Sequence, residues 1–252
     1  VSPKVSIITA TYNSEKFIYE LIESVFGQSY QNWEWIITDD CSSDGTFEIL
    51  KSLQEKDCRI KVFQNTINSG AAVSRNNSLK HALGDFVAFV DSDDVWMSNK
   101  LSMQLDFMLE NKVDFSFTAY SIIDEDGKDK NIYIDKDNRK KIFNYNDMLN
   151  KRATLGCSTV ILKNKIISDF NMPLLRTGQD YAFWLKVLKS NHKAVLLPIP
   201  LTKYRIVSNS ISRNKFKKAK RQWEIYRKVE RLSLSQSALC FLNYAYRAVF
   251  RG

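Results

Sequence analysis

The run Asp91-Ser92-Asp93-Asp94 follows five apolar residues, Phe86 to Val90. Two carboxylates one residue apart, in the bend after a buried strand, can face one hard divalent cation. Such a cation takes oxygen ligands, and Mg²⁺ keeps positions open for water or phosphate. Without a cation, carboxylates this close repel each other and raise one another's pKa values. A D-x-D pair also occurs in solvated acidic turns, and the apolar run feeding this one favours the metal reading. Asp39-Asp40 and Thr11-Tyr12-Asn13-Ser14 close two other apolar runs in the same way. Asp180, in Gln179-Asp180, opens a helical pattern as an N-cap candidate near the positive end of the helix dipole.

These residues need a scaffold that brings strand ends together. Val5–Ala10, Trp33–Thr38, Ile60–Phe63 and Asp85–Val90 read as strands. Between and after them lie helical spacings: Phe17 to Val25, Phe47 to Leu53, Ala71–Leu83 and about Asn99 to Glu110. Alternating strands and helices imply right-handed crossovers and a mostly parallel sheet, whose ligands bind beyond the carboxyl ends of the strands. Asp44-Gly45 reads as a turn and Ser14 as a helix N-cap. Further on, Val113–Tyr120 and Gly156–Leu162 read as strands. Residues 122–141 read as a hairpin or flap turning at Asp126-Gly127, and Gln179–Lys189 as a helix. Ala194–Tyr204 reads as an edge or irregular strand, because of Pro198 and Pro200. Most aromatic residues read as core, whereas Trp96, beside the acidic run, is open to either core packing or sugar stacking.

The composition is globular, with 44% hydrophobic and 26% charged residues, which excludes a disordered chain. Four separated cysteines and two histidines argue against a structural zinc site and fit a reducing cytoplasm. The net charge of +9 is unevenly placed. Residues 213–252 hold eleven Lys and Arg against two Glu, whereas residues 1–212 carry 26 of each sign. A neutral body with a cationic tail is not the pattern of a nucleic-acid binder. No run of about 20 apolar residues marks a membrane span, and the early strand pattern leaves no secretory leader in the sequence as read.

The order of motifs resembles the family 2 glycosyltransferases. The matching pieces are Val5 to Asn13, Ile36 to Thr46, Asn68-Ser69-Gly70 with Arg75-Asn76, Asp91 to Asp94, and Gln179-Asp180. The resemblance implies an α/β GT-A nucleotide-sugar fold over residues 1–212. Residues 1–100 would form the nucleotide-binding half and 101–212 the acceptor side. It also implies a UDP-sugar donor, inversion at the anomeric carbon, and Mn²⁺ or Mg²⁺. Thr11 and Tyr12 would line the base pocket, Asp40 would accept from the base, and Asp39 would support the turn. Arg75, Asp91 and Ser92 would contact the nucleotide, with Asp91 and Asp93 at the metal and Asp180 as catalytic base. Many relatives carry Glu-Asp where this chain has Gln179-Asp180, and a His where it has Val207. Arg205 would then supply positive charge near the diphosphate, from a segment through Ser212 that closes over it.

The C-terminal residues read as a basic amphipathic helical tail. Leu234, Ala238, Phe241, Ala245 and Val249 fall on one stripe, with Asn243, Arg247 and Arg251 on another face. Such a helix can lie on an anionic bilayer, or its stripe can pack on the body or on another subunit. Membrane contact at the inner face of the cell membrane would suit the lipid-linked saccharide acceptors that bacterial members of the family use. Two other classes compete. A nucleotidyltransferase would show a Gly-rich phosphate loop after the first strand, and Thr11 to Ser14 has no Gly. A non-catalytic membrane- or nucleic-acid-binding module would depend on the tail alone.

Overall fold

The computed structural model describes residues 2–168, 170–207 and 215–250. Its first half alternates β1 (Val5–Thr11), α1 (Ile18–Phe26), β2 (Trp33–Asp39), α2 (Thr46–Lys56), β3 (Ile60–Gln64), α3 (Ala71–Leu79) and β4 (Phe86–Phe89). The second half holds β5 (Val95–Trp96), α4 (Lys100–Glu110), β6 (Phe115–Ile123), β7 (Asp129–Ile134), β8 (Ile142–Phe143) and α5 (Tyr145–Leu149). β9 (Val160–Lys163), α6 (Gln179–Lys189), β10 (Ala194–Arg205), α7 (Lys215–Glu224) and α8 (Leu234–Phe250) follow.

One sheet unites the described strands, in the order β3-β2-β1-β4-β9-β6-β10-β5, with β7 on β6 and β8 on β10. β1, β2, β3 and β4 are parallel. β9 runs antiparallel to both β4 and β6, so β6 again points with β4, and β10 is parallel to β6. Six strands therefore share one direction, and their carboxyl ends share one edge. β1 and β2 are buried almost throughout, as a strand covered on both faces must be. Trp184 of α6 packs edge-on against Phe89 at 5.4 Å, which fixes that helix over β4.

Where the elements depart from the sequence pattern, a local cause is visible. α3 ends at Leu79, not Leu83, because Gly84 passes hard against β1; a Cβ there would stand 2.6 Å from the Ser6 nitrogen. The strand expected from Gly156 begins only at Val160, after a 3₁₀ turn over Cys157–Thr159. That turn frees the Ser158 carbonyl to accept from Trp96 Nε1 at 2.8 Å and Thr202 Oγ1 at 3.0 Å. Trp96 is therefore held in the core, with Lys100 Nζ 4.5 Å from its ring centroid, and offers no sugar platform. Ser14 caps α1 only through its carbonyl, while its hydroxyl meets Ser92 Oγ at 2.7 Å. The expected hairpin is β6–β7, with Gly127 at φ 83° in its turn. In β10 the register slips on either side of Pro200.

The C-terminal helices pack on the body. α7 continues through a wide turn over Ile225–Val229, and the chain reverses near Arg231 into α8. Ile225 and Tyr226 are buried, and Tyr226 Oη donates to the Leu149 carbonyl at 2.7 Å. α8 meets the body with a mixed face: Phe241 of the expected stripe packs against the core and edge-on to Trp223 at 5.6 Å, beside the buried Cys240, whereas Leu234, Ala238 and Ala245 are exposed. Asn243 Nδ2 donates to Asn150 Oδ1 at 2.7 Å, and Arg247 Nη1 to the Lys151 carbonyl at 2.8 Å. Leu239, Leu242 and Tyr246 face outward. Arg251 lies outside the described residues, and nothing is said of the Val249 side chain.

Candidate active site

A cleft of about 680 Å³ opens at the carboxyl edge of the sheet. Tyr12 and Asp91 line it from the strand ends, and Gln179 and Asp180 from the first turn of α6. Gly178, in the left-handed conformation at φ 73°, lets the chain turn sharply into that helix. Asp180 is thus the second residue of the helix and not its cap.

Arg75 projects from α3 and is almost wholly buried. Its Nη2 donates to Asp91 Oδ1 at 2.5 Å, while its Nε and Nη1 are buried without an acceptor. An unpaired buried donor costs about 1–3 kcal/mol, more when charged. A buried arginine with two idle N–H groups beside a cleft is therefore built to receive oxygens from a ligand.

The acidic bend is held from several sides. Ser158 Oγ donates to Asp94 Oδ2 at 2.5 Å and accepts from the Asp91 nitrogen at 3.0 Å. Arg205 donates its own N–H to Asp94 Oδ1 at 2.9 Å and its Nε to the Asp93 carbonyl at 2.8 Å. Burial, followed by the charge of Asp91, pushes the Asp93 carboxyl up to about 6. Burial and the two neighbouring carboxylates push Asp94 higher than its ordinary value as well. Asp94 is committed to Ser158 and Arg205, which leaves Asp93 and the second oxygen of Asp91 for a cation. No three His, Cys, Asp or Glu side chains among the described residues form a ready cage. The donor set therefore fits a hard cation as a partial shell, to be completed by phosphate and water.

Three expected contact residues face elsewhere. Asp40 is buried, and its carboxylate accepts from Asn65 Nδ2 (2.8 Å), the Ser69 nitrogen (2.8 Å) and the Gly70 nitrogen (2.6 Å). It ties down the loop before α3 and is not a free acceptor for a base. Thr11 Oγ1 turns to Asp39 Oδ1 at 3.1 Å. Asp39 also accepts from the Ser42 nitrogen and so supports the turn. The Arg205 side chain is fully enclosed, with Nη2 on Glu20 Oε2 at 2.7 Å and Nη1 on the Glu125 carbonyl at 3.0 Å. It props up the bend and does not face the cleft. Ser92 is occupied by Ser14, and the segment 208–212 lies outside the described residues.

Lys151, Arg176 and Arg221, none of them expected at the site, also line the cleft. Arg176 Nη1 donates to Asn68 Oδ1 at 2.8 Å, joining the loop before α6 to the loop before α3. The left-handed Gly70 and Gly178 beside these arginines were the available signal, since each gives an arginine room to lie against the backbone.

The chain belongs to glycosyl transferase family 2, whose sequence model matches residues 6–168, and its fold is GT-A. It is an enzyme of the glycosyltransferase class. It is 44% identical over 247 residues to TuaG of Bacillus subtilis (strain 168), a glycosyltransferase named for teichuronic acid biosynthesis. That match covers 98% of this chain and 96% of TuaG. It is 42% identical over 222 residues to WfgD of Escherichia coli, covering 88% of this chain and 84% of WfgD. WfgD is a UDP-Glc:α-D-GlcNAc-diphosphoundecaprenol β-1,3-glucosyltransferase. Among solved structures, S. aureus TarS 1–349 in complex with UDP superposes with a TM-score of 0.71 at 24% identity. That superposition covers 97% of this chain and 71% of TarS 1–349. The mannosyltransferase PcManGT of Pyrobaculum calidifontis, in complex with GDP-Man and Mn²⁺, gives 0.67 at 18% identity. That one covers 98% of this chain and 70% of PcManGT.

Proposed function

We propose that this chain is an inverting, metal-dependent hexosyltransferase. It moves a sugar from a UDP-sugar to a saccharide carried on a polyprenyl diphosphate, in surface-polysaccharide synthesis. The observation that carries this reading is the cleft that joins Asp91, beside the buried Arg75, to Asp180 on α6. Similarity to WfgD and TuaG over most of the chain supports the donor and acceptor class.

Residues 1–100 serve the nucleotide and 101–212 the acceptor. Tyr12 offers an exposed aromatic face to the base. Arg75 gives its idle N–H groups to donor oxygens and keeps Asp91 oriented. Asp91 and Asp93 would hold Mn²⁺ or Mg²⁺, which when bound stabilises negative charge developing on the departing diphosphate. Asp180 accepts the proton of the attacking hydroxyl; Gln179 cannot. Inversion follows from a single displacement, with the acceptor entering opposite the leaving group.

Asp180→Asn keeps the shape and removes the base. We expect turnover to fall about 10²–10⁴-fold, the usual contribution of a positioned base, with UDP affinity unchanged. The assay follows UDP release from UDP-glucose with a GlcNAc-diphosphate lipid analogue. Undiminished turnover overturns the assignment.

The C-terminal unit contacts an anionic membrane at the inner face of the cell membrane. Its support is the outward apolar face of α8 together with the exposed Phe216, Lys217 and Lys220 of α7. No helix among the described residues is long and apolar enough to cross a membrane.

A further inference from the structure

Besides the buried Arg75 at its edge, the cleft carries cations on other elements. Lys151, just after α5, and Arg221, on α7, both line it. Lys151 Nζ sits 3.1 Å from the centroid of the Tyr181 ring, and no carboxylate among the described residues forms a salt bridge with it. Arg221 lies along Gly178: its Cδ and Nε are 2.9 and 3.0 Å from where a Cβ at that position would stand. Its Nε is buried without an acceptor. Burial, opposed by the Asp180 carboxylate and aided by the like charge of Arg221, pushes the Lys151 ammonium down to about 7. The attraction of Asp180 does not offset that cost, and a bound anion beside both cations would relieve it.

Their position says which anion. Asp180 and Lys151 line the same cleft, and the Asp180 carboxylate acts electrostatically on Lys151 and on Arg75, so the proposed base is within reach of both cationic groups. Arg75 and the acidic bend form the donor wall. A hydroxyl presented to Asp180 from the other side belongs to an acceptor whose own charge would lie against Lys151 and Arg221.

We propose that Lys151 and Arg221 form an anion subsite for the phosphate groups at the reducing end of the acceptor saccharide. The proposal rests on the glycosyl-transfer reading above and adds α7 to the acceptor site. Arginine and lysine together suit a diphosphate, the one as a fork and the other as a point charge. The subsite selects acceptors that are saccharide phosphates over neutral glycosides.

The donor also carries a diphosphate, so the test must separate the two. Calorimetry on the full chain would titrate inorganic pyrophosphate at fixed Mg²⁺, with UDP already saturating. The expected result is one pyrophosphate bound to the UDP-loaded wild type. Affinity should be at least tenfold weaker in Lys151→Gln/Arg221→Gln, and UDP affinity unchanged. Arg221→Lys, which keeps the charge, should stay within about threefold of wild type by retaining a charge-assisted contact. Equal pyrophosphate affinity in the double variant, no binding to the UDP-loaded wild type, or a matching loss of UDP affinity overturns the subsite. Failure of UDP to bind the wild type counts instead against the donor reading. Pyrophosphate titrated into the unloaded proteins then decides the subsite by the same comparison.

Discussion

Arg205 connects three parts of the chain through one side chain and its backbone N–H, joining Asp93 and Asp94, Glu125, and Glu20 with the Phe17 ring. Arg205→Met keeps the packed stem and the backbone bond to Asp94 and deletes the charge. Leaving the Asp93 and Glu125 carbonyls without their donor should cost about 1–3 kcal/mol each, read as a shifted urea midpoint. A variant as stable as wild type, but weak for UDP, would return Arg205 to the nucleotide. Glu34 on β2 is a second fixed point. Burial alone would raise its carboxyl, but the Ser6 hydroxyl, the Leu83 N–H, Lys4 and Lys61 lower it to about 2. A lowered folded pKa stabilises above the unfolded value and is lost as pH falls through the folded one. The contribution is therefore whole above about 4.5 and fades towards 2. Glu34→Gln should lose about 2–3 kcal/mol at pH 7 and flatten the acid-unfolding curve in that window. Placement at the cleft was legible where a motif fixed the backbone, as at Asp91 and Asp180. Residue roles were not legible where the partner is remote in sequence. Asp40 binds a loop about thirty residues on, and Arg221 was one basic residue among eleven in the tail.

At the scale of elements, the N-terminus of α6 concentrates the demands on the backbone. Gly178 must hold φ 73° while Arg221 lies across it. Gly178→Ala adds a left-handed penalty of about 1–2 kcal/mol and a Cβ that displaces Arg221. Chemical unfolding should show at least that loss, and an unchanged midpoint would mean the turn relaxes freely. α6 itself was readable to the residue, because its apolar spacing has no competing pattern and almost all of it is buried. The strand expected from Gly156 failed for a physical reason. Its first residues, Gly156-Cys157-Ser158-Thr159, are small and mostly polar, and they are spent on a buried turn that presents Ser158 to Trp96, Thr202, Asp91 and Asp94. The apolar run that marks a strand starts only at Val160, where the strand itself begins. β9 was legible as a strand but its direction was not, since nothing in its residues distinguishes parallel from antiparallel pairing.

At the scale of the molecule, the C-terminal unit has two faces with different tasks. Toward the body it supplies Arg221 to the cleft and polar anchors to Asn150 and Lys151. Away from the body it exposes Leu239, Leu242 and Tyr246 on one side of α8. The amphipathic pattern was visible in the sequence, but its docking face was not, because that face mixes Cys240 and Phe241 with Asn243 and Arg247. An outward apolar face on a cationic unit is the composition that enters an anionic lipid interface. Each inserted Leu is worth about 1.5–3 kcal/mol, and each nearby Lys or Arg about 1 kcal/mol. Leu239→Ser/Leu242→Ser should therefore weaken partitioning to phosphatidylglycerol-containing vesicles by about 10²-fold or more. Because both side chains are exposed, the urea midpoint should not move. Wild-type binding should fall with added salt and be slight on neutral phosphatidylcholine vesicles. If the wild type sediments equally with both vesicle types, or the double variant binds as tightly as wild type, α8 does not hold the enzyme at an anionic lipid surface.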